Sequence, residues 1–90
     1  MDNYKKLKDK ITLIFYDIIE KKEKTIEDLE HTSIAIAETD SSMYEERKKL
    51  IYKNDLFYAM LNDLNAKSAV LSELLEFIHE IENEQTKNKS

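Results

Sequence analysis

The chain has 90 residues, enough for one domain, with 37% charged residues, a net charge of −5 and no Gly, Pro or Cys. Without Cys there is no disulfide scaffold and no Cys-ligated metal site, and the acidic balance argues against a nucleic-acid partner, which calls for a basic face. Without Gly and Pro a β fold lacks its tight turns, whereas a chain dominated by Glu, Lys, Leu and Ile has the profile of long helices or a coiled coil.

The amino-terminal segment carries Lys5, Lys6, Lys8 and Lys10 ahead of an apolar run from Ile11 to Tyr16. Asp9 and Asp17 flank that run, which falls well short of the roughly 20 residues needed to span a bilayer. No small-residue cleavage site follows, so the segment reads as helix rather than signal peptide, with a cytoplasmic location as the default expectation. Tyr4, Leu7, Ile11, Ile14 and Ile18 alternate at +3 and +4, the signature of a helix seam. Lys21 and Lys22 interrupt it, and Ile26, Leu29 and Ile36 resume in a shifted phase. That shift reads either as a stutter in one helix or as a break at the capping pattern of Thr25 and Asp28. The helix-forming Lys21, Lys22, Glu23 and Lys24 argue for continuity.

The strongest turn signal is Glu38-Thr-Asp-Ser-Ser-Met43, whose short polar side chains compete for backbone hydrogen bonds. Ser42 and Glu45 form a capping box for a second helix, and Glu45 and Glu46 suit its positive end. Leu50, Phe57, Leu61, Leu64, Leu71, Leu75 and Ile78 define its seam, with Asn54 and Ser68 at seam positions. The expected fold is all-α: an antiparallel helical hairpin or coiled coil, with helices at about 4–38 and 43–84 in a single helical domain, 1–84, followed by a disordered tail, 85–90. Breaks near residues 25 and 65 would convert it into a three- or four-helix bundle.

Charge falls in blocks of +2 over residues 1–24, −7 over 25–46, +3 over 47–67 and −3 over 68–90. Folding at residues 40–41 sets opposite blocks side by side, and a parallel pairing would set like blocks together. The same fold predicts partner positions summing to about 81, with Tyr4 near Phe77, Leu7 near Leu74, Ile11 near Val70, Ile18 near Leu64 and Leu29 near Tyr52.

Apolar residues exceed what a two-helix seam can use. Leu13, Phe15, Tyr16 and Ile19 flank the first stripe; Ile51, Leu56, Tyr58, Met60, Leu74 and Ile81 flank the second. Extra bends, a homodimer or a helix from another protein would each cover them. Tyr16, Ile19, Tyr52, Phe57, Tyr58 and Leu61 are the expected protein-binding residues, because aromatic side chains dominate interface energetics.

Chemistry-bearing patterns are sparse. Asp28 with His31 and Glu76 with His79 echo the half-sites of di-iron bundles, yet the hairpin sets them near opposite ends. Arg47, Lys48, Lys49 and Lys53 serve to face the acidic block across the turn. No nucleophile elbow or phosphate-binding loop is present. No enzyme, cofactor, metal or catalytic residue is therefore expected.

Following the polar turn, the segment Tyr44-Glu-Glu-Arg-Lys-Lys-Leu-Ile-Tyr-Lys-Asn-Asp-Leu-Phe-Tyr-Ala-Met-Leu-Asn-Asp-Leu64 resembles, in its pattern, the second helix of the small acidic helical-hairpin chaperones of type III secretion systems. Those proteins sheath self-assembling needle or filament subunits. The resemblance implies a chaperone, co-chaperone or assembly factor whose partner is an amphipathic helix, with homodimerisation in its absence. The alternative is an immunity or inhibitor protein, in which an acidic helical surface steers the chain to a basic toxin or enzyme. A secreted hairpin of the Trp-x-Gly family is disfavoured, since the turn holds neither residue.

Overall fold

A computed structural model describes residues 2–88 of the protein. Two helices, α1 (Asp2–Glu38) and α2 (Tyr44–Asn88), run antiparallel as one hairpin. The rod measures 73 × 18 × 14 Å, and its radius of gyration of 20.4 Å compares with about 12 Å for a compact chain of this length. Neither helix breaks, so the chain does not form a three- or four-helix bundle. Helix α2 continues through Asn88, beyond Glu84 where the sequence placed its end.

The seam of α1 keeps a single phase. Tyr4, Lys8, Ile11, Phe15, Ile18, Lys22, Thr25, Leu29, Thr32, Ile36 and Thr39 are all half-buried or buried, at an uninterrupted +4, +3 alternation. The stutter expected from the apolar residues alone is absent. Leu7 and Ile14, assigned to the seam by sequence, are 52% and 44% exposed, and Ile26 is also exposed. The reason is that the seam admits polar residues. Lysines at its edge bury their methylene stems and keep the ammonium in water. The threonines satisfy their hydroxyls within their own helix: Thr25 Oγ1 donates to the Lys21 carbonyl at 2.8 Å and Thr32 Oγ1 to that of Asp28 at 3.0 Å. Their methyl groups remain to pack, so a seam of mixed chemistry costs no unpaired group. Among the described residues no buried side-chain nitrogen or oxygen lacks a partner.

The seam of α2 follows the sequence expectation. Leu50, Asn54, Phe57, Leu61, Leu64, Ser68, Leu71, Leu75 and Ile78 are half-buried or buried, and Glu82 continues the series. Ser68 hands its hydroxyl proton to the Asn65 carbonyl at 3.0 Å.

One side-chain bridge marks the register. Asn54 Nδ2 donates to Thr32 Oγ1 at 2.7 Å and to Ser33 Oγ at 3.3 Å. Opposed positions thus sum to 86, the sum for Thr32 with Asn54. At that value every seam position of α1 from Tyr4 to Ile36 faces a seam position of α2 from Glu82 to Leu50. Near the open end, the bond from Tyr4 Oη to the Ile78 carbonyl (3.3 Å) and the ion pair of Lys8 with Glu82 (3.0 Å) fall to either side of it. The expected sum of about 81, give or take two, fits the Tyr4–Ile78 contact, which sums to 82, but not Thr32–Asn54 or Lys8–Glu82, because it rested on Leu7 and on a fold at residues 40–41. Val70, Leu74, Phe77 and Tyr52, which that sum sets opposite α1, are all exposed.

The turn explains how the chain manages without glycine. Met43 N–H donates to the Asp40 carbonyl at 2.9 Å, closing a β-turn, and the Asp40 carboxylate accepts from Ser42 N–H at 3.5 Å. Among the described residues none has positive φ, so the reversal needs no left-handed position. Met43 carbonyl accepts the first helical bond of α2, from Arg47 N–H at 3.0 Å. Met43 therefore stands at the N-cap. The expected Ser42 capping box does not form, because Ser42 is spent on the turn, while Glu45 and Glu46 do occupy the first turn.

The core is thin. Its buried apolar side chains are Ile18, Leu29 and Ile78, interleaved with buried Thr25, Thr32 and Ser68. The charge blocks run in the expected antiparallel sense, although among the described residues Lys8–Glu82 is the one ion pair between the helices. It is more than a third exposed on the lysine and contributes at most about 1 kcal/mol.

The seam assignment has a direct test. Ile18→Ala is expected to cost about 2–4 kcal/mol and Leu13→Ala, at a position 70% exposed, less than about 0.5 kcal/mol, measured by urea unfolding. Equal costs would contradict the phase. Asn54→Leu is expected to raise the melting temperature by several degrees, because Thr32 keeps its own helical acceptor and a polar layer becomes apolar. A lower melting temperature would show that the Asn54 bridge stabilises as well as aligns.

Candidate protein-binding faces

A two-helix hairpin has two broad faces, one on each side of its seam. The heptad positions place Leu7 and Ile14 of α1 on one face with Met60, Lys67, Leu74 and Ile81 of α2. The opposite face carries Ile19, Ile26 and Ser33 with Ile51, Tyr58 and Asn65.

The first face is apolar in its open half, away from the turn. Leu7, Ile14, Val70, Leu74 and Phe77 are 43–59% exposed there. Ile14 and Val70 border a shallow groove of about 410 Å³, with Ile18 and Leu71 of the seam at its floor and Ala66 and Lys67 at one end. Two ion pairs close the strip toward the middle of the rod: Lys21 with Asp17 at 2.9 Å and Lys67 with Asp63 at 2.8 Å. Both are i,i+4 pairs on a single helix, and at the observed register they lie across the seam from one another. They form a charged collar of both signs.

The second face has the reverse polarity along its length. Its open half presents Lys5, Thr12, Ser72 and His79, and its apolar part lies nearer the turn. Ile26, Ile51 and Tyr58 are exposed there, and Ile19 is half-buried beside them. Tyr16 stands at the outer edge of this face, 64% exposed, its ring edge-on to Phe15 at 6.2 Å. Phe15 is a seam residue, so Tyr16 is held by a fixed neighbour.

The six residues expected to bind a partner are thus divided. Ile19 and Tyr58 share the second face, and Tyr16 borders it. Phe57 and Leu61 are half-buried in the seam, where α1 already covers them. Tyr52 is 67% exposed on the outer surface of α2, away from the others. The first face was missed because Leu7 and Ile14 read as seam residues of α1 and because a sum of about 81 set Val70 and Phe77 against Ile11 and Tyr4. The polar seam residues at heptad spacing, above all Thr25 and Thr32, were the signal that could have freed them.

Among the described residues no three His, Asp or Glu side chains come together in a way that could hold a metal ion. His31 and His79 are both exposed. Arg47 and Lys48 line a hollow beside the turn with Ser41, Tyr44 and Ile51, open to solvent. Among the described residues no helix is long and apolar enough to cross a membrane.

Compared with protein-family models, with curated proteins and with solved structures, the chain finds no match in any of the three. The reading of its function rests on its own surface.

Proposed function

We propose that this protein is a helical binding module, a chaperone or assembly factor that receives an amphipathic helix of another protein along its second face. The observation that carries this reading is an excess of surface. The hairpin exposes 7359 Å², against about 5,500 Å² for a compact protein of 10.7 kDa. The surplus of about 1,900 Å² exceeds the roughly 800 Å² that each partner contributes to a standard interface. Its apolar part is organised in strips along the rod, which is the shape a helix needs for docking.

On the second face Ile19 with Ile26 and Ile51 with Tyr58 repeat at heptad spacing on the two helices. At the register marked by Thr32 and Asn54 they follow one another along the rod on opposite banks of the seam, Ile19 and Ile26 on one and Tyr58 and Ile51, nearer the turn, on the other. A partner helix laid in the valley between those banks would find apolar walls, an aromatic anchor in Tyr58 and a second in Tyr16. The acidic part of α1, residues 25–38, and the basic residues 47–67 of α2 border the valley with opposite signs, so a partner helix with complementary charged flanks would be held in one orientation. The thin seam supports a chaperone over a toxin-neutralising inhibitor. An inhibitor of that kind works as a stable preformed monomer, whereas a hairpin with three buried apolar side chains among the described residues keeps much apolar surface in reserve for binding.

The test is affinity capture with mass spectrometry, run in parallel with the wild type and Tyr58→Asp, followed by titration of a helical segment from the captured protein. Binding of that segment is expected to raise the melting temperature of the wild type by several degrees, and Tyr58→Asp is expected to weaken it at least about tenfold. Unchanged capture by Tyr58→Asp would remove the second face from consideration. A sharp melt of the isolated chain that no captured segment shifts would overturn the chaperone reading.

A further inference from the structure

We infer that the first face is a homodimer interface, closed by a second copy of this chain with both turns at the same end of a four-helix bundle. The inference is independent of the proposed function, which uses the opposite face.

Two properties of the first face select the occupant and its orientation. The apolar strip occupies only the open half, and the collar of Lys21, Asp17, Lys67 and Asp63 bounds it. A symmetric pair of chains must set each surface against itself under a twofold axis. Face-to-face stacking of two hairpins allows two such axes. In one, the axis runs along the rod. Turns then lie together, strip covers strip, and α1 of each copy lies over α2 of the other, again antiparallel. In the second, the axis runs across the rod and the hairpins point in opposite directions.

Charge separates the two. With the axis along the rod and the register of the hairpin itself, the basic block 1–24 faces the acidic block 68–90 of the second copy, and 25–46 faces 47–67. Within the collar, Asp17 comes within a turn of Lys67 of the second copy, and Lys21 within a turn of its Asp63. The two ion pairs that each chain closes on its own helix become a network of alternating sign. With the axis across the rod, apolar strips can overlap only if the open halves overlap. Each collar then lies over the free ends of the other copy, away from the other collar, and its alternating charges meet no counterpart. The rod-wise axis satisfies both patterns, and the crosswise axis sacrifices one to the other. The area agrees: the surplus of about 1,900 Å² per chain is enough for two standard interfaces of roughly 800 Å² each, one on either face.

The absence of Cys makes the test clean. A single spin label on Ser41→Cys reports the distance between turns in the otherwise wild-type chain, with mass read by analytical ultracentrifugation over about 1–100 μM. A dimer is expected, with labels closer than about 30 Å, as for adjoining helix ends. Leu74→Glu is expected to raise the dissociation constant at least about tenfold, and Tyr58→Glu, on the other face, to leave it unchanged. A chain that stays monomeric throughout that range would overturn the proposal. So would a dimer with labels beyond about 60 Å, which marks hairpins pointing in opposite directions. So would dissociation by Tyr58→Glu with Leu74→Glu still dimeric. The label distance is read without touching the interface, so it decides the matter even if Leu74→Glu fails to fold.

Discussion

Everything in this hairpin hangs on the matching of two heptad series across one seam. Each helix alternates its buried positions by three and four, and antiparallel neighbours can interlock only where one series mirrors the other. At a sum of 86, marked by the Asn54–Thr32 hydrogen bond, all positions from Tyr4 to Ile36 meet a counterpart. A slip of one or two residues would turn side chains of one helix away from the seam. The next sliding match lies a whole heptad away, and the short turn does not allow it. Asn54 adds a chemical penalty, because a slip would set its amide against an apolar neighbour such as Leu29 or Ile36. Register is therefore held by geometry first and by one polar layer second.

The same seam decides what remains outside it. Lys8, Lys22, Thr25, Thr32 and Ser68 occupy places that a more stable coiled coil would give to Leu or Ile. Five comparably large apolar residues, Leu7, Ile14, Val70, Leu74 and Phe77, stand instead on an outer face. The chain has placed its hydrophobic residues where they do little for the isolated hairpin. Surface left exposed in the single chain is a reserve of favourable energy that any assembly would draw on.

Much of the fold was legible in the amino-acid sequence, and the errors share one cause. The lack of Gly and Pro, the polar stretch at residues 38–43 and the alternating charge blocks led to the right fold and the right direction. The seam of α2 was read correctly because Leu and Phe dominate it and Asn54 and Ser68 were accepted as members. In α1 the apolar residues were followed alone, and a heptad containing two lysines and three threonines was taken for an interruption. That choice displaced the register by about five positions and concealed the first face. A threonine whose hydroxyl returns to its own backbone behaves as a small apolar residue, and no periodicity count based on residue type registers that. The aromatic residues favoured for binding suffered in turn, since Phe57 belongs to the seam and Tyr52 to the outer surface.

The single turn has a consequence for how such a rod comes apart. Seam residues beside it, Ile36 and Leu50, are close in sequence, whereas Tyr4 and Ile78 at the free ends are separated by 74 positions. The chain is a zipper with one closed end. The cost of closing each further layer rises only logarithmically with the loop already closed, so layers are gained and lost in order, outward from Asp40–Met43 and back toward it. The apolar strip of the first face is carried on the half that opens first. Whatever settles on that strip acts as a clasp on the free ends, converting a structure that frays from one side into one that must open as a whole.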